Sequence, residues 1–364
     1  MRWLLIFVLV IAAFLGAAWW GGESWLASRA SMAIAQRDDV SAAAVSPLRQ
    51  LDRAGLRIEQ AEYQGVVEGQ ALSVALPWLE FWARPLAPTT LNARLPDQAR
   101  LGIDGTALDL RMDAVQASLH LSPLNSMAVT QAGLDAAEIT LDGQAAVTGL
   151  SAEARLASLG YDAPRGAGAA YDIALRLQAL EPAALTVLGV PPLAVPGAVS
   201  AEGDLRLWLT AAPGRGILRG QHYPVQPVGF RTDGIDLGLG DLRARLVGLA
   251  SADAQGRAEG RLALYTSDSR AWLRAASDAG LIPPSAVLLG GAMLQGLSNT
   301  PMTPEAAPDD SSRTARIASE FHSVTEFIFP EPAPGELRIP IFLRDGQAFL
   351  GKIPIGPAPS FLGG

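Results

Sequence analysis

The chain has 364 residues, of which 49% are hydrophobic, so it is long enough for two or three domains or for one large domain with a substantial core. Its net charge is −8 at pH 7 and its arginines are scattered, which excludes the basic field that collects nucleic-acid phosphates. It has no cysteine, which excludes disulfides, thiolate metal sites and cysteine nucleophiles.

The first element is the apolar run WLLIFVLVIAAFLGAAWW at residues 3–20, which as a helix would span about 27 Å, close to the hydrocarbon thickness of a bilayer. Two tryptophans close the run, as they do at a membrane interface. We therefore predict a transmembrane anchor over residues 1–22. The tail before the run is too short to carry anything across, so the bulk of the chain is expected outside the cytoplasm. A cleaved signal peptide is the alternative, because AIA at residues 33–35 is a small-x-small cleavage sequence.

Residues 23–55 are predicted to form a helical connector. The sequence ESWLASRASMAIAQR is rich in helix formers, and VSPLRQLDRAG ends at Gly55, where a left-handed C-cap would sit.

Residues 56–298 are predicted to form a β body, because period-two alternation of apolar and polar residues recurs through most of this range without an intervening helical pattern up to residue 265. Asp-Gly pairs, which favour hairpin turns, occur at Asp104-Gly105, Asp142-Gly143 and Asp345-Gly346. The expected fold class is mainly β, that is β-rich α+β: a transmembrane helix followed by a large curved, bulged antiparallel sheet with a few peripheral helices.

The stretch ALDLRMDAVQASLHLSPL, residues 107–124, changes the phase of its alternation. Its apolar residues stand at even positions up to Ala114 and at odd positions from Val115 onwards. A second change of phase occurs at Gly240. Because alternate side chains of a strand point to opposite faces, we interpret both slips as bulges that bend the sheet and keep the apolar residues on one face.

The remainder of the chain contains two helical patterns and a closing hairpin. Residues 267–280 have a capped helical pattern that ends in glycine, and a second short helix is predicted over 285–297. Residues 299–313 are rich in Pro, Ser and Asp and are predicted to be a flexible loop or linker. Residues 314–364 form a C-terminal segment whose β-hairpin, ELRIPIFLRDGQAFLGK, is expected to rejoin the sheet.

The sequence contains no recognisable catalytic or metal-binding motif. Its three histidines, His120, His222 and His322, are far apart, and it has neither a G-x-S-x-G elbow nor the lysine of a P-loop. We therefore predict a protein that is not an enzyme and needs neither a metal nor another cofactor.

The ending PIFLRDGQAFLGKIPIGPAP, residues 340–359, resembles the closing signature of an alphaproteobacterial family known as domain of unknown function 2125. The resemblance extends over nearly the whole chain and includes AEYQGVVEG at 61–69. The sequence after this strand and the insert at 299–313 depart from the family pattern. The resemblance implies no catalytic residue, since none is established for the family.

More remotely, the pattern of Asp253, Gly256, Gly260, Leu262 and Leu264 is similar to phrases in AsmA-like envelope proteins. That resemblance implies an inner-membrane anchor followed by a long curled sheet with an apolar concave side, as in proteins thought to pass lipids between membranes.

Two functions remain open. One is non-enzymatic lipid handling or envelope homeostasis through an apolar groove, with the membrane and a lipid as partners and no nucleic acid. The other is a periplasmic scaffold for protein–protein interaction, in which the same faces close into an ordinary core. If the groove exists, its predicted lining is Leu108, Leu110, Leu119, Leu121, Leu175, Leu177, Leu207 and Leu237.

Overall fold

The computed structural model describes residues 22–50, 52–67, 70–188, 195–214, 225–280, 282–300, 302 and 327–361. The protein is mainly β with a large antiparallel sheet, as predicted. The chain divides into two compact units: unit 1 comprises Met1–Ser151 and Val187–Gly189, and unit 2 comprises Ala152–Thr186 and Val190–Gly364.

The predicted anchor lies outside the described residues, apart from Gly22. Among the helices within the described ranges, none is both long enough and apolar enough to cross a bilayer.

The described part of unit 1 begins with an α-helix, which is followed by strands that pair antiparallel. The elements are α1 (22–35), β1 (Val40–Ser41), β2 (Ala44–Pro47), β3 (Ala54–Val67), β4 (Gln70–Arg84), β5 (Ala87–Arg94), β6 (Gln98–Ile103), β7 (Thr106–Asp113), β8 (Gln116–Ser122), β9 (Ala128–Leu141) and β10 (Gln144–Ala157), which crosses into unit 2. β4 pairs with β5 at one end and with β6 at the other. β9 likewise pairs with β8 and β7, and these short strands pair with β5 and β6. Each long strand therefore holds two short strands end to end.

Unit 2 is an antiparallel meander in which consecutive strands pair from β11 to β18. Its elements are β11 (Ala169–Leu180), β12 (Val199–Leu209), β13 (Pro227–Leu239), β14 (Leu242–Ala252), β15 (Ala258–Thr266), α2 (Ser269–Asp278), α3 (Pro284–Ser298), β16 (Leu337–Arg344), β17 (Gln347–Leu350) and β18 (Ile353–Pro357). Two short 3-10 helices complete the described elements: Pro123–Asn125, which belongs to unit 1, and Pro182–Leu188. Both predicted helices and the predicted C-terminal hairpin are confirmed. Most of the predicted 299–313 linker lies outside the described residues.

The three Asp-Gly pairs form the predicted hairpin turns. In each pair both residues have positive φ, as at Asp104 (48°) and Gly105 (85°), which suits the right-handed twist of the flanking strands.

The predicted helical connector is wrong beyond α1. Residues Ala44–Pro47 form a strand paired with β3, and Gly55 lies within β3 rather than at a helix end. Gly55 faces Trp82 so closely that an added Cβ would meet the Trp82 Cα at 2.7 Å. This glycine therefore permits a close approach of two strands, a tertiary requirement that a local pattern does not contain.

The two phase slips have different causes. Ala114 has a φ of 53° and lies between β7 and β8, which pair with β9 in one unbroken register: Asp113 lies opposite Glu138, and Gln116 lies opposite Asp135. No extra residue is accommodated at Ala114, so the predicted change of phase is present but the predicted bulge is wrong. The bulge predicted at Gly240 is wrong. Leu239 pairs directly with Leu242 around a two-residue turn, and such a hairpin reverses the parity of the apolar positions by itself.

The sheet of unit 2 is covered on both faces around β15. Successive residues of a strand point to opposite faces. Tyr265 is completely buried with Val247, Phe327 and Phe329, whereas its neighbour Leu264 packs on a cluster that contains residues of α2 and α3. This part of unit 2 is an ordinary closed core.

Replacing Tyr265 by Phe is expected to lower the free energy of unfolding by about 1–3 kcal/mol, because the Pro330 carbonyl would lose a buried donor. The Tyr265 hydroxyl donates to the Pro330 oxygen at 2.7 Å, and burial raises the pKa of this phenol, so it stays protonated. Urea unfolding of the full chain in detergent measures the change. Tyr161→Phe, at a fully exposed position, is the control and should stay within about 0.5 kcal/mol of wild type; equal losses in the two variants would contradict the assignment.

Candidate functional site

The candidate site is the apolar face of the unit 1 sheet. Residues that lie opposite each other in an antiparallel pair point to the same face, so the register identifies its members. Leu110 is opposite both Ala99 and Leu141, and Leu119 is opposite both Leu91 and Ala132. These residues form apolar rows that run across β6–β7–β9 and β5–β8–β9.

The two halves of this face are continuous across Ala114. Met112 and Val115 differ in parity, yet they belong to one buried cluster with Leu110 on one side of the slip and Leu95 on the other. The left-handed residue at 114 therefore keeps the apolar side chains on the same face, as the sequence predicted, but it does so without a bulge.

The change of phase is shared by neighbouring strands. In β3, Gln60 has a φ of 49°, and the flanking pairs of the register place it opposite Pro77 of β4. The same register position is continued across the sheet by residues 95–97, which lie between β5 and β6, and by Ala114, which lies between β7 and β8. We call this row of residues (Gln60, Pro77, 95–97 and Ala114) the slip row. A proline at this position fits, because it has no N–H to give to the ladder.

The face is packed along β7 up to the slip row and open towards β5, β8 and β9. Leu108 and Met112 are 4% and 6% exposed. Leu91 and Leu119, which are direct cross-strand partners, are each 39% exposed, and Leu134 on β9 is 40% exposed. A buried stripe thus passes into an accessible patch of adjoining leucines, which we call the leucine patch (Leu91, Leu119 and Leu134).

The structure divides the predicted lining residues between the two units. Four of them, Leu108, Leu110, Leu119 and Leu121, lie on the apolar face of unit 1. The other four lie on one face of unit 2: Leu175, Leu177, Leu207 and Leu237 are half-buried there and are connected through the β11–β12–β13 register. Sequence reasoning missed Leu91 and Leu134. The alternation of Leu91, Ala93 and Leu95 was the available signal.

The opposite face of unit 1 is charged and aromatic. The Arg57 and Arg94 guanidinium carbons lie 5.0 and 5.9 Å from the Trp78 ring centroid, and Arg57 also donates to Glu80 at 2.9 Å. The two faces therefore differ sharply in chemistry.

Unit 2 has a charged cleft of about 820 Å³ on the polar face of β11–β14. Arg206 donates to both carboxylate oxygens of Asp172, at 2.7 and 3.1 Å, and Arg231 donates to Asp162 and Asp233 at 3.0 and 3.1 Å. The hydrogen bond that Arg206 donates to the Asp172 carboxylate raises the pKa of Arg206. These charges satisfy each other, which is the arrangement of structural ion pairs. Within the described ranges, no three His, Asp or Glu side chains are grouped so that they could hold a metal ion.

The family model for uncharacterized proteins conserved in bacteria, domain of unknown function 2125, matches residues 52–316. The chain belongs to this family. The matched range contains β4 to β9 and the leucine patch, so the candidate site lies within the part of the chain that defines the family. Comparison with curated proteins and with solved structures gave no significant match. The resemblance to AsmA-like envelope proteins stays a prediction.

Proposed function

We propose that this chain is an inner-membrane-anchored periplasmic protein that handles lipid without chemical conversion, and that it holds acyl chains on the apolar face of unit 1. The observation that supports this most directly is the leucine patch, in which three adjoining leucines remain about two-fifths exposed. Contiguous exposed apolar surface on a folded domain commonly marks a binding site.

The chemistry of the face selects the class of ligand. The side chains of its exposed rows, Leu91, Ala93, Leu119 and Leu134, are hydrocarbon, so these rows offer dispersion contacts and burial but no side-chain hydrogen bonds. Burying a fully exposed leucine is worth about 1.5–3 kcal/mol, so covering one that is about two-fifths exposed is worth about 0.6–1.2 kcal/mol, and an acyl chain gains this without losing hydrogen bonds to water. A polar metabolite would be desolvated without compensation.

The proposed attachment to the membrane rests on the apolar run at residues 3–20, which has the length of a bilayer span. A body on the periplasmic side would then have the outer leaflet of the inner membrane as a source of acyl chains.

The alternative is a periplasmic scaffold for protein–protein interaction with an ordinary closed core. It is favoured by the part of unit 2 around β15, where packed clusters occupy both faces of the sheet. A protein partner on the leucine patch would also bury it, so the two proposals are separated by whether lipid accompanies the purified chain.

Aspartate at Leu119 is expected to abolish most copurified lipid while leaving the protein folded. A carboxylate on the leucine patch would have to be desolvated by a bound acyl chain. Because Leu119 is already 39% exposed, the loss of burial should cost only about 1–2 kcal/mol in stability. Native mass spectrometry of the detergent-extracted full chain measures the bound lipid, and thermal unfolding checks the fold.

His120→Asp is the matched control, because it places the same charge one residue further along β8, on the opposite face. It should retain the wild-type amount of lipid. Wild-type protein free of lipid, or equal lipid in both variants, would reject the lipid-handling proposal and leave the scaffold.

A further inference from the structure

Helix α1 is fixed to unit 1 through one stripe of residues. Glu23 and Ala27 are buried, and Ala30 and Ile34 are half-buried, which is the i, i+4, i+7, i+11 spacing of a single helix face. The Glu23 carboxylate accepts hydrogen bonds from the backbone N–H groups of Arg49 at 3.1 Å and Gly55 at 2.9 Å. The start of α1 is thereby held against the start of β3.

The outer face of α1 is apolar although it faces solvent. Trp25, Leu26 and Met32 are 59%, 45% and 50% exposed. The Arg29 guanidinium lies 5.5 Å from the Trp25 ring centroid, a cation–π distance. Glu23 is the only acidic residue of 22–35 and is turned inwards, so the outer face has Arg29 as its sole charge. An exposed Trp, Leu and Met with one arginine is the composition of a helix face that lies in a membrane interface.

The chain itself places this face close to the apolar run. Trp25 follows Trp20, the last residue of the run, by five positions, so the chain between their Cα atoms can extend to at most about 18 Å. Gly21 and Gly22 stand between them, and glycine accommodates a change of direction between two helical segments. If residues 3–20 cross the bilayer, the outer face of α1 cannot be far from the headgroups.

We propose that the outer face of α1, formed by Trp25, Leu26, Arg29 and Met32, lies on the bilayer surface and prefers anionic headgroups. Its apolar side chains enter the boundary between headgroups and acyl chains, and Arg29 pairs with lipid phosphate. This rests on the proposed membrane attachment but not on acyl-chain binding by the leucine patch.

A consequence concerns the β body. Because Glu23 binds Gly55, and Gly55 faces Trp82, the first turn of α1 lies next to a second arginine–tryptophan pair, in which Arg53 is 5.2 Å from the Trp82 ring centroid. The hydrogen bonds of Glu23 to Arg49 and Gly55 would therefore hold this end of unit 1 at the membrane, so that the β body is not joined to it by a flexible linker alone.

The absence of cysteine from the chain allows a direct test with single nitroxide labels. Leu26→Cys and Met32→Cys probe the outer face, and Leu124→Cys, at a position 97% exposed in the 3-10 helix of unit 1, is the matched control. The labelled full chain is placed in nanodiscs of phosphatidylcholine with and without phosphatidylglycerol. We expect labels at 26 and 32 to be several-fold less accessible than the label at 124 to an aqueous nickel chelate and more accessible to oxygen, most clearly with phosphatidylglycerol.

Met32 is the decisive position. A helix standing along the membrane normal would raise residue 32 about 9 Å above residue 26 and leave its label in water, which would overturn the proposal. Spin–spin broadening between labels at position 26 would assign the face to a second copy of the chain and would equally overturn it. Failure of the chain to enter nanodiscs would refute the membrane attachment itself, whereas lipid on the leucine patch is read independently from the Leu119→Asp experiment.

Discussion

Aspartate at Met112 is expected to unfold unit 1. Met112 is 6% exposed and packs with Val115, Ala136 and Ile139 at the slip row, a cluster made entirely of apolar side chains. An unpaired carboxylate there would lose its hydration without gaining a partner, at about 3–5 kcal/mol, a large share of the 5–15 kcal/mol by which domains are stable. Hydrogen exchange with mass spectrometry should find the amides of β7, β8 and β9 unprotected.

Leu119→Asp is the control for this result, because it makes the same kind of change seven residues further along the same face. Since Leu119 is accessible to water, the amides of β8 and β9 should keep nearly wild-type protection. A folded Met112→Asp protein would mean that the slip row is open like the leucine patch. Unfolding of both variants would mean that the whole face is a closed core and would remove the basis for lipid binding.

Alanine at Gly248 is expected to destabilise unit 2 by about 3 kcal/mol or more. Gly248 lies in the middle of β14 between Thr232 and Leu262, with a φ of 144°, a conformation that residues with a Cβ rarely adopt. An added Cβ would fall on the Arg261 carbonyl oxygen and within 2.8 Å of the Leu262 Cα, so the β14–β15 ladder would have to separate. Chemical denaturation of the full chain, followed by hydrogen exchange in β14 and β15, measures the effect.

Gly335→Ala is the control that separates two causes of the stability loss expected in Gly248→Ala, the steric clash of the added Cβ and the strain of the backbone conformation. Gly335 also has a positive φ, 85°, but an added Cβ there would meet no atom within 4 Å. We expect a loss of about 1 kcal/mol, from conformational strain alone. Equal losses at the two positions would show that the close approach of β14 and β15 is not what requires Gly248.

Features that depend on a few consecutive residues could be predicted from the sequence. Each Asp-Gly pair became a hairpin turn, because both of its residues tolerate the left-handed region that the turn requires. The helices at Ser269–Asp278 and Pro284–Ser298 followed from their flanking Asp, Gly and Pro residues. The family was recognisable for the same reason, since it rests on runs of residues along the chain.

Features that depend on a strand's partner were predicted less well. The changes of phase at Ala114 and Gly240 look alike in the sequence. At Ala114 the chain continues in the same direction along β9, whereas at Gly240 it reverses direction in a two-residue hairpin turn. Gly55 resembled a helix cap because the Trp82 backbone that crowds it is 27 residues away.

The sequence by itself determined that the chain is mainly β, that its strands have one apolar side, and that Leu108, Leu110, Leu119 and Leu121 share that side, because alternation and its change of phase at Ala114 are properties of consecutive residues. Only the tertiary structure decided which leucines are buried and which are accessible. Leu110 and Leu119 are equivalent in the alternation, but their exposure depends on neighbours contributed by distant strands and on what packs above them. That is also why the leucine patch and the exposed face of α1 became visible only once the chain was folded.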